Sequence, residues 1–286
     1  HTHTHTHTHT HTHTHTHSQV SQGNTSKGNP PSLHYQVEEG PAPAPPLKGQ
    51  VTVLVKACGL NFYDIYVRHG LNPEIQPPCT LGLECAGVIS AVAEDVQSLK
   101  VGDHVAVHCP QAGACTQQIT VDEESVIVVP RDISFEVAAS FTIAYQTAYF
   151  SLFHLGGLRP GGAVFIHSAA GGVGWAATQL AKTIPNVTVL EQPQSKHEAM
   201  QENGVDYAIH HGQDYEREIL KVRPQGVSIV LDSLAGAEFT RSQNLLEPLG
   251  KVVLIGAKGM MRGSIQSACI LKPGGTQKMS LLSLSS

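Results

Sequence analysis

The chain has no apolar run long enough to cross a bilayer. Stretches such as Val126–Val129 and Val252–Ile255 fall far short of the roughly 20 residues a membrane helix needs. It also lacks a charged start followed by an apolar segment, so no secretory leader is expected. No basic stripe stands out, and the formal net charge is −5, which argues against nucleic acid as a partner. None of the six cysteines, Cys58, Cys79, Cys85, Cys109, Cys115 and Cys269, forms a C-x-x-C pair. Their spacing suggests no disulfide framework, so free thiols in a reducing cytoplasm are the expectation. The chain does have 41% hydrophobic residues over a length of 286, enough for two ordinary globular domains.

The first 17 residues are HTHTHTHTHTHTHTHTH. Such a tract could chelate metal, but alternating CAC and ACA codons also read His-Thr, so a translated repeat yields it without function. With no apolar residue to bury, residues 1–32 are expected to be a disordered tract and linker. From 33 to 130, short valine-rich runs such as VTVLVKACGL, LECAGVISAVA, VGDHVAVHC and SVIVVP alternate with Gly, Pro and Asp. That pattern predicts a small all-β unit, barrel-like in architecture. From 131 to 262 it changes. Ser134 is placed to cap a helix over FEVAASF, and AYQTAYFSLFHL reads as a second helix. Strands AVFIH, VTVL, YAIH, SIVLD and KVVLIG then alternate with helices GWAATQLAKTI, SKHEAMQEN, YEREILKV and FTRSQNLLEPL. Strand-helix alternation predicts βαβ units and a parallel sheet. The tail from Ala257, including residues 263–286, shows no sustained period.

The stretch VFIHSAAGGVGWAATQLAK (Val164–Lys182) carries the chemistry. Ala169, Gly171 and Gly174 occupy the three small positions of an A-x-G-x-x-G variant of the dinucleotide fingerprint, with Gly172 and Val173 between them. Small residues there allow a tight turn, close approach of the main chain to a diphosphate, and close helix-strand packing. The amides at the start of the following helix then face the phosphates. Alone the motif is weak, but here it follows a strand, opens a helix and begins the alternation. Glu191, at the end of the next strand, stands where a carboxylate would hold a ribose 2′-hydroxyl and favour NAD(H). Ser195 and Lys196 follow, where a lysine would meet the 2′-phosphate of NADP(H). The two signals conflict.

KACGLNFYDIYVRHG, LGLECAGVI, KVGDHVAV, HSAAGGVG, SKHEA, GVSIVLDSL and LLEPLGKVV together resemble the zinc-independent quinone oxidoreductases of the medium-chain dehydrogenase/reductase superfamily, within them the vesicle amine transport protein branch. The resemblance runs from about Leu33 to Gly256. It implies an α/β chain: a GroES-like β-barrel substrate domain at 33–130 and a doubly wound Rossmann sheet at 131–262. It implies an active site in the cleft between them, binding NADP(H) and a quinone or related conjugated enone. Asn61 and Tyr66 fall on positions that line the substrate side of the nicotinamide, with Asp64 beside them, and these are the candidate catalytic residues. Thr147 and Gly256 fall on cofactor-side positions. His211 stands where the family places a tyrosine over the 2′-phosphate. Zinc relatives carry a cysteine ligand where this chain has Asn61 and a histidine where it has Leu83, so no zinc is expected.

The resemblance fails at both ends, as in a truncated chain. The His-Thr tract replaces the opening strand, and beyond Gly256 the last Rossmann strand, the dimerising edge and the returning helices do not follow. This predicts a sheet incomplete at its C-terminal edge, with KVVLI left open as an aggregation hazard, and it weakens the family's homodimer as an expectation. Two functions remain open. One is hydride transfer from NAD(P)H to a quinone in the cytoplasm. The other is a catalytically weak nucleotide-binding paralogue, acting as an interaction protein peripheral to vesicle or mitochondrial outer membranes.

Overall fold

The computed structural model describes residues 14–22, 33–41, 43–192, 197–209, 214–256 and 280–281. They divide into two units, at 1–142 and 143–286.

The first unit is β-rich, as the valine runs predict. Its five-stranded antiparallel sheet has the order β7 (Gln118–Asp122), β3 (Gln50–Gly59), β5 (Glu84–Val92), β6 (His104–His108), β8 (Val126–Val128). Val51, Val53, Cys85, Ile89, Val105 and Val107 fill its core. Helix α1 (Phe62–Arg68) follows β3. A second sheet has the order β2 (Leu33–Pro41), β1 (Thr14–Gln22), β4 (Cys79–Thr80). Strand β1 corrects the expectation of a structureless 1–32: it takes in the end of the His-Thr tract. Main-chain pairing holds it, with β2 along its whole length and with β4 at Gln19 and Val20. Helix α2 (Phe135–Ala138) begins where Ser134 predicts, with Ser134 Oγ accepting from Val137 N at 3.3 Å. The first unit runs to Thr142 rather than Pro130, because Ala138 and Ala139 pack on Ala86 and Ala106 of its sheet.

The second unit opens with α3 (Ala144–Tyr149), extended by a π-helical turn over Phe150–Gly156. Six parallel strands follow in the order β11 (Tyr207–Ala208), β10 (Thr188–Gln192), β9 (Ala163–His167), β12 (Val227–Asp232), β13 (Leu246–Leu254), β14 (Ser280–Leu281). This is the 3-2-1-4-5-6 order of a doubly wound sheet. Ala163, Val164, Phe165 and Ile166 are all fully buried, as a central parallel strand covered on both faces requires. Helices α4 (Gly172–Lys182), α5 (His197–Glu202), α6 (Tyr215–Val222) and α7 (Ala237–Gln243) connect the strands. Ala176, Ala177 and Ala181 lay α4 on the sheet.

Two expectations are corrected here. The helix expected to run on into LLEPL stops at Gln243, and Leu246 already begins β13; Pro248 and Gly250 are poor helix residues. The edge of β13 expected to be open carries β14, with Ser280 beside Val253 and Leu281 beside Leu254. Among the described residues, no helix is long and apolar enough to cross a membrane.

Candidate functional site

In the second unit, polar side chains gather at the carboxyl ends of the central strands, where doubly wound sheets bind ligands. The chain leaves β9 at His167 and turns through Ser168, which takes a left-handed φ of 57°. Gly171 N closes the turn on Ser168 O at 2.9 Å, and α4 begins with no side-chain cap. Gly171 and Gly172 are exposed, Val173 is half-buried, and Ala169 and Gly174 are buried. The glycines serve different ends. A Cβ on Gly174 would sit 2.7 Å from Ala169 O and 2.8 Å from Ala169 C, so glycine here lets α4 close on the turn. A Cβ on Gly171 would meet Ser168 O at 3.2 Å, and one on Gly172 would meet only Ala144 Cβ at 3.7 Å. The mouth of the turn is therefore open, and its floor is tight. This is a cradle that a diphosphate on the first amides of α4 fits. Thr147 is buried on α3, which packs against α4. Gly256 follows β13 beside Ser233.

Glu191, on β10 next to β9, is fully buried, and neither carboxylate oxygen has a partner among the described residues. Burial pushes its pKa up to about 7. An orphaned carboxylate at this strand end fits a hydroxyl donor such as a ribose. Ser195, Lys196 and His211 lie outside the described residues, so the contest between 2′-hydroxyl and 2′-phosphate rests here on Glu191. Sequence reasoning passed over two further groups. His167 ends β9, buried between Phe165 and Tyr215, with Nε2 and Ser242 Oγ 2.9 Å apart. Desolvation lowers its pKa, against the pull of Asp232. Asp232 ends β12 and accepts from Leu234 N and Ala235 N at 2.8 and 2.9 Å through one oxygen; the other is buried without a partner among the described residues. The available signal was an ionisable residue closing a continuous apolar strand.

In the first unit, Asn61 precedes α1. Its Nδ2 donates to Glu84 Oε1 at 2.8 Å, and its main-chain N donates to Asp64 Oδ2 at 2.7 Å. Asp64 Oδ1 accepts from Gly82 N at 3.1 Å. Burial raises the Asp64 pKa, partly offset by those two amide donors. With both oxygens engaged, Asp64 braces Asn61 from within. Glu84 is buried on β5 and also accepts from Thr142 Oγ1 at 2.9 Å. It lies in the LGLECAGVI motif, where nothing in the local sequence marks its bond to Asn61. A Cβ on Gly59 would stand 2.5 Å from Glu84 Oε1, so glycine there makes room for the carboxylate. Tyr66 stacks on Tyr63 with centroids 6.0 Å apart, and burial raises its hydroxyl pKa. The two positions where the resemblance places zinc ligands hold this tethered amide and the buried side chain of Leu83. Neither fits zinc.

Residues 47–142 match the family described as alcohol dehydrogenase GroES-like domain, and residues 172–282 match zinc-binding dehydrogenase. The human VAT-1 homolog-like protein, described as a synaptic vesicle membrane protein, has a crystal structure that superposes with a TM-score of 0.77 at 32% identity, over 95% of this chain and 79% of that one. The chain belongs to the medium-chain dehydrogenase/reductase superfamily. Within the superfamily it lies close to VAT-1 homologs and quinone oxidoreductases, an oxidoreductase family. The human synaptic vesicle membrane protein VAT-1 homolog is 46% identical over 226 residues, 78% of this chain. The chain spans 56% of that relative's length. The Escherichia coli quinone oxidoreductase complexed with NADPH superposes with a TM-score of 0.80 at 26% identity, over 94% of this chain and 81% of that one.

Proposed function

We propose that this chain is a zinc-independent, cytoplasmic oxidoreductase that passes hydride from NAD(P)H to a quinone or related conjugated carbonyl. The observation that carries the reading is the open-mouthed, tight-floored turn from Ser168 to Gly174. Its main-chain amides hold a diphosphate, and Thr147 and Gly256 complete the cofactor side. When bound, a reduced nicotinamide supplies the hydride. Asn61 contributes the electrophile: one amide hydrogen is fixed on Glu84, and the other polarises the acceptor's oxygen as negative charge develops. Asp64 and Glu84 are positioning residues that set the aim of that amide. Tyr66 offers a hydroxyl whose raised pKa keeps it protonated as a donor. NADP(H) is the expected cofactor by likeness to the NADPH-bound quinone oxidoreductase. A Glu191 half-neutral near pH 7 repels a 2′-phosphate less than an ordinary carboxylate would, while its oxygens, unpartnered among the described residues, could accept the ribose 2′-hydroxyl of NAD(H), so both cofactors are ligands.

The test is NADPH oxidation by the purified chain with a small benzoquinone, followed by nicotinamide absorbance. Turnover above a protein-free blank is expected, with Asn61→Ala lowering it about a hundredfold and Tyr66→Phe lowering it less. A protein that shows no turnover and no thermal shift with NADPH would refute the proposal. A thermal shift without turnover supports the second reading, a nucleotide-binding partner at vesicle membranes, which the name of the human synaptic vesicle membrane relative favours.

A further inference from the structure

Cysteines that stand apart in the sequence meet in the first unit. Cys58 on β3 lies opposite Cys85 on β5. Cys109 follows β6, and Cys115 lies in the loop before β7. Cys58 Sγ and Cys115 Sγ are 3.3 Å apart, and both residues are half-buried. Cys85 and Cys109 also hydrogen-bond, but both are buried, so small oxidants reach the two pairs unequally. The glycine at 82 makes the first pair possible. It holds φ at 96°, and a Cβ there would stand 2.6 Å from Cys115 N and 2.8 Å from Cys115 Sγ. Cys115 N is fixed in turn on Leu81 O at 2.8 Å.

The pair is asymmetric. Cys58 Sγ donates to Glu84 O at 3.2 Å, and its hydrogen bond with Cys115, in which either sulfur can donate, lowers the Cys115 pKa against burial and the charge of Asp64. The same bond, then burial, raises the pKa of Cys58. Cys115 is thus the more readily ionised sulfur, with a second thiol 3.3 Å away.

We propose that Cys115 and Cys58 form a peroxide-reactive dithiol that closes to a disulfide. The Cys115 thiolate attacks one oxygen of a hydroperoxide. The S–O bond forms as the O–O bond breaks, and the departing alkoxide or hydroxide takes up a proton. Cys58 then gives its proton to solvent and attacks the sulfenic sulfur. The S–S bond forms as the S–O bond breaks, and hydroxide leaves as water. Two thiols are oxidised by two electrons, and the hydroperoxide is reduced to an alcohol, or water, plus water. An external dithiol reverses the bond by exchange. The bond would tie β3 to the loop beside Gly82, whose amide holds Asp64 and through it Asn61. The proposal stands apart from the one above, because its test reads thiol chemistry and needs no turnover.

The test treats the reduced full chain with hydrogen peroxide and maps peptides without reduction. The expected result is loss of two thiols, a first linkage joining the Cys58 and Cys115 peptides, and full reversal by dithiothreitol. In Cys58→Ser, dimedone should trap a sulfenic acid at Cys115, about tenfold more heavily than at Cys79. Cys115→Ser should leave Cys58 unlabelled. A first linkage elsewhere, irreversible oxidation of Cys115 in the wild-type chain, or no thiol loss would overturn the proposal. The wild-type map decides even if either variant fails to fold.

Discussion

Replacing Gly172 with alanine should separate the stability of the glycine turn from its use. The new Cβ would lie 3.7 Å from Ala144 Cβ, an ordinary contact, and would meet nothing else within 4 Å. Gly172 is the first residue of α4 and has no positive φ. Alanine there should therefore stabilise the free protein by about 0.5–1 kcal/mol, mostly by restricting the unfolded chain. That corresponds to a Tm higher by roughly 1–4 °C for a unit of this size. The same methyl projects into the mouth of the cradle, where a diphosphate would lie. A loss of about tenfold in affinity is about 1.4 kcal/mol. At a ligand concentration 100-fold above the wild-type Kd, ligand stabilisation should then fall from about 2.7 to about 1.4 kcal/mol. Thermal unfolding of both proteins, with and without NADPH, reads both effects. An unchanged NADPH shift in the variant would show that the diphosphate does not lie at this helix start. A lowered Tm without ligand would show that the mouth of the turn is not open.

Gly174→Ala should behave oppositely: its Cβ would press on Ala169 main chain at 2.7 and 2.8 Å, costing about 1–3 kcal/mol, seen as a lower Tm whether or not nucleotide is present. Glu191 should make stability fall as pH rises. Its folded pKa of about 7 lies above the ordinary 4.5, so its full contribution is present below about pH 4.5 and is lost as pH rises through 7. Glu191→Gln should flatten that slope and gain at most about 3 kcal/mol at pH 8, read from urea midpoints across pH. The same substitution should remove the pH dependence of a preference for NADPH over NADH that in the wild type grows below pH 7, leaving that preference at its low-pH level throughout, as measured by parallel fluorescence titrations. Asp64→Ala would strand the half-buried amide of Asn61 and the buried amide of Gly82, costing about 1–3 kcal/mol and shifting the urea midpoint at constant slope.

What the sequence made legible was local. Continuous apolar runs such as Ala163–Ile166 mark buried parallel strands wherever they pair, and helix signals between them suffice for the alternation. The glycine turn was legible because tightness and open approach each demand small residues at fixed offsets. Pairings across long separations were not. Nothing near Cys58 announces Cys115, 57 residues away, and nothing in LGLECAGVI says that Glu84 reaches Asn61 and Thr142. AYQTAYFSLFHL read correctly as helical, but its shift to a π-helical turn after Tyr149 depends on packing that periodicity does not carry. The edge of β13 was misjudged because β14 is only two residues long, below what any pattern can register.

Ser168 holds a left-handed φ of 57°, a conformation that costs a non-glycine residue about 1–2 kcal/mol. The contacts of Ala169 with α4 and the bond from Gly171 to Ser168 sustain that geometry. An arriving anion therefore meets a finished receptor and loses no time to chain rearrangement. Its capture should be limited by diffusion and electrostatic attraction, so that association is fast and residence time alone distinguishes good ligands from poor ones.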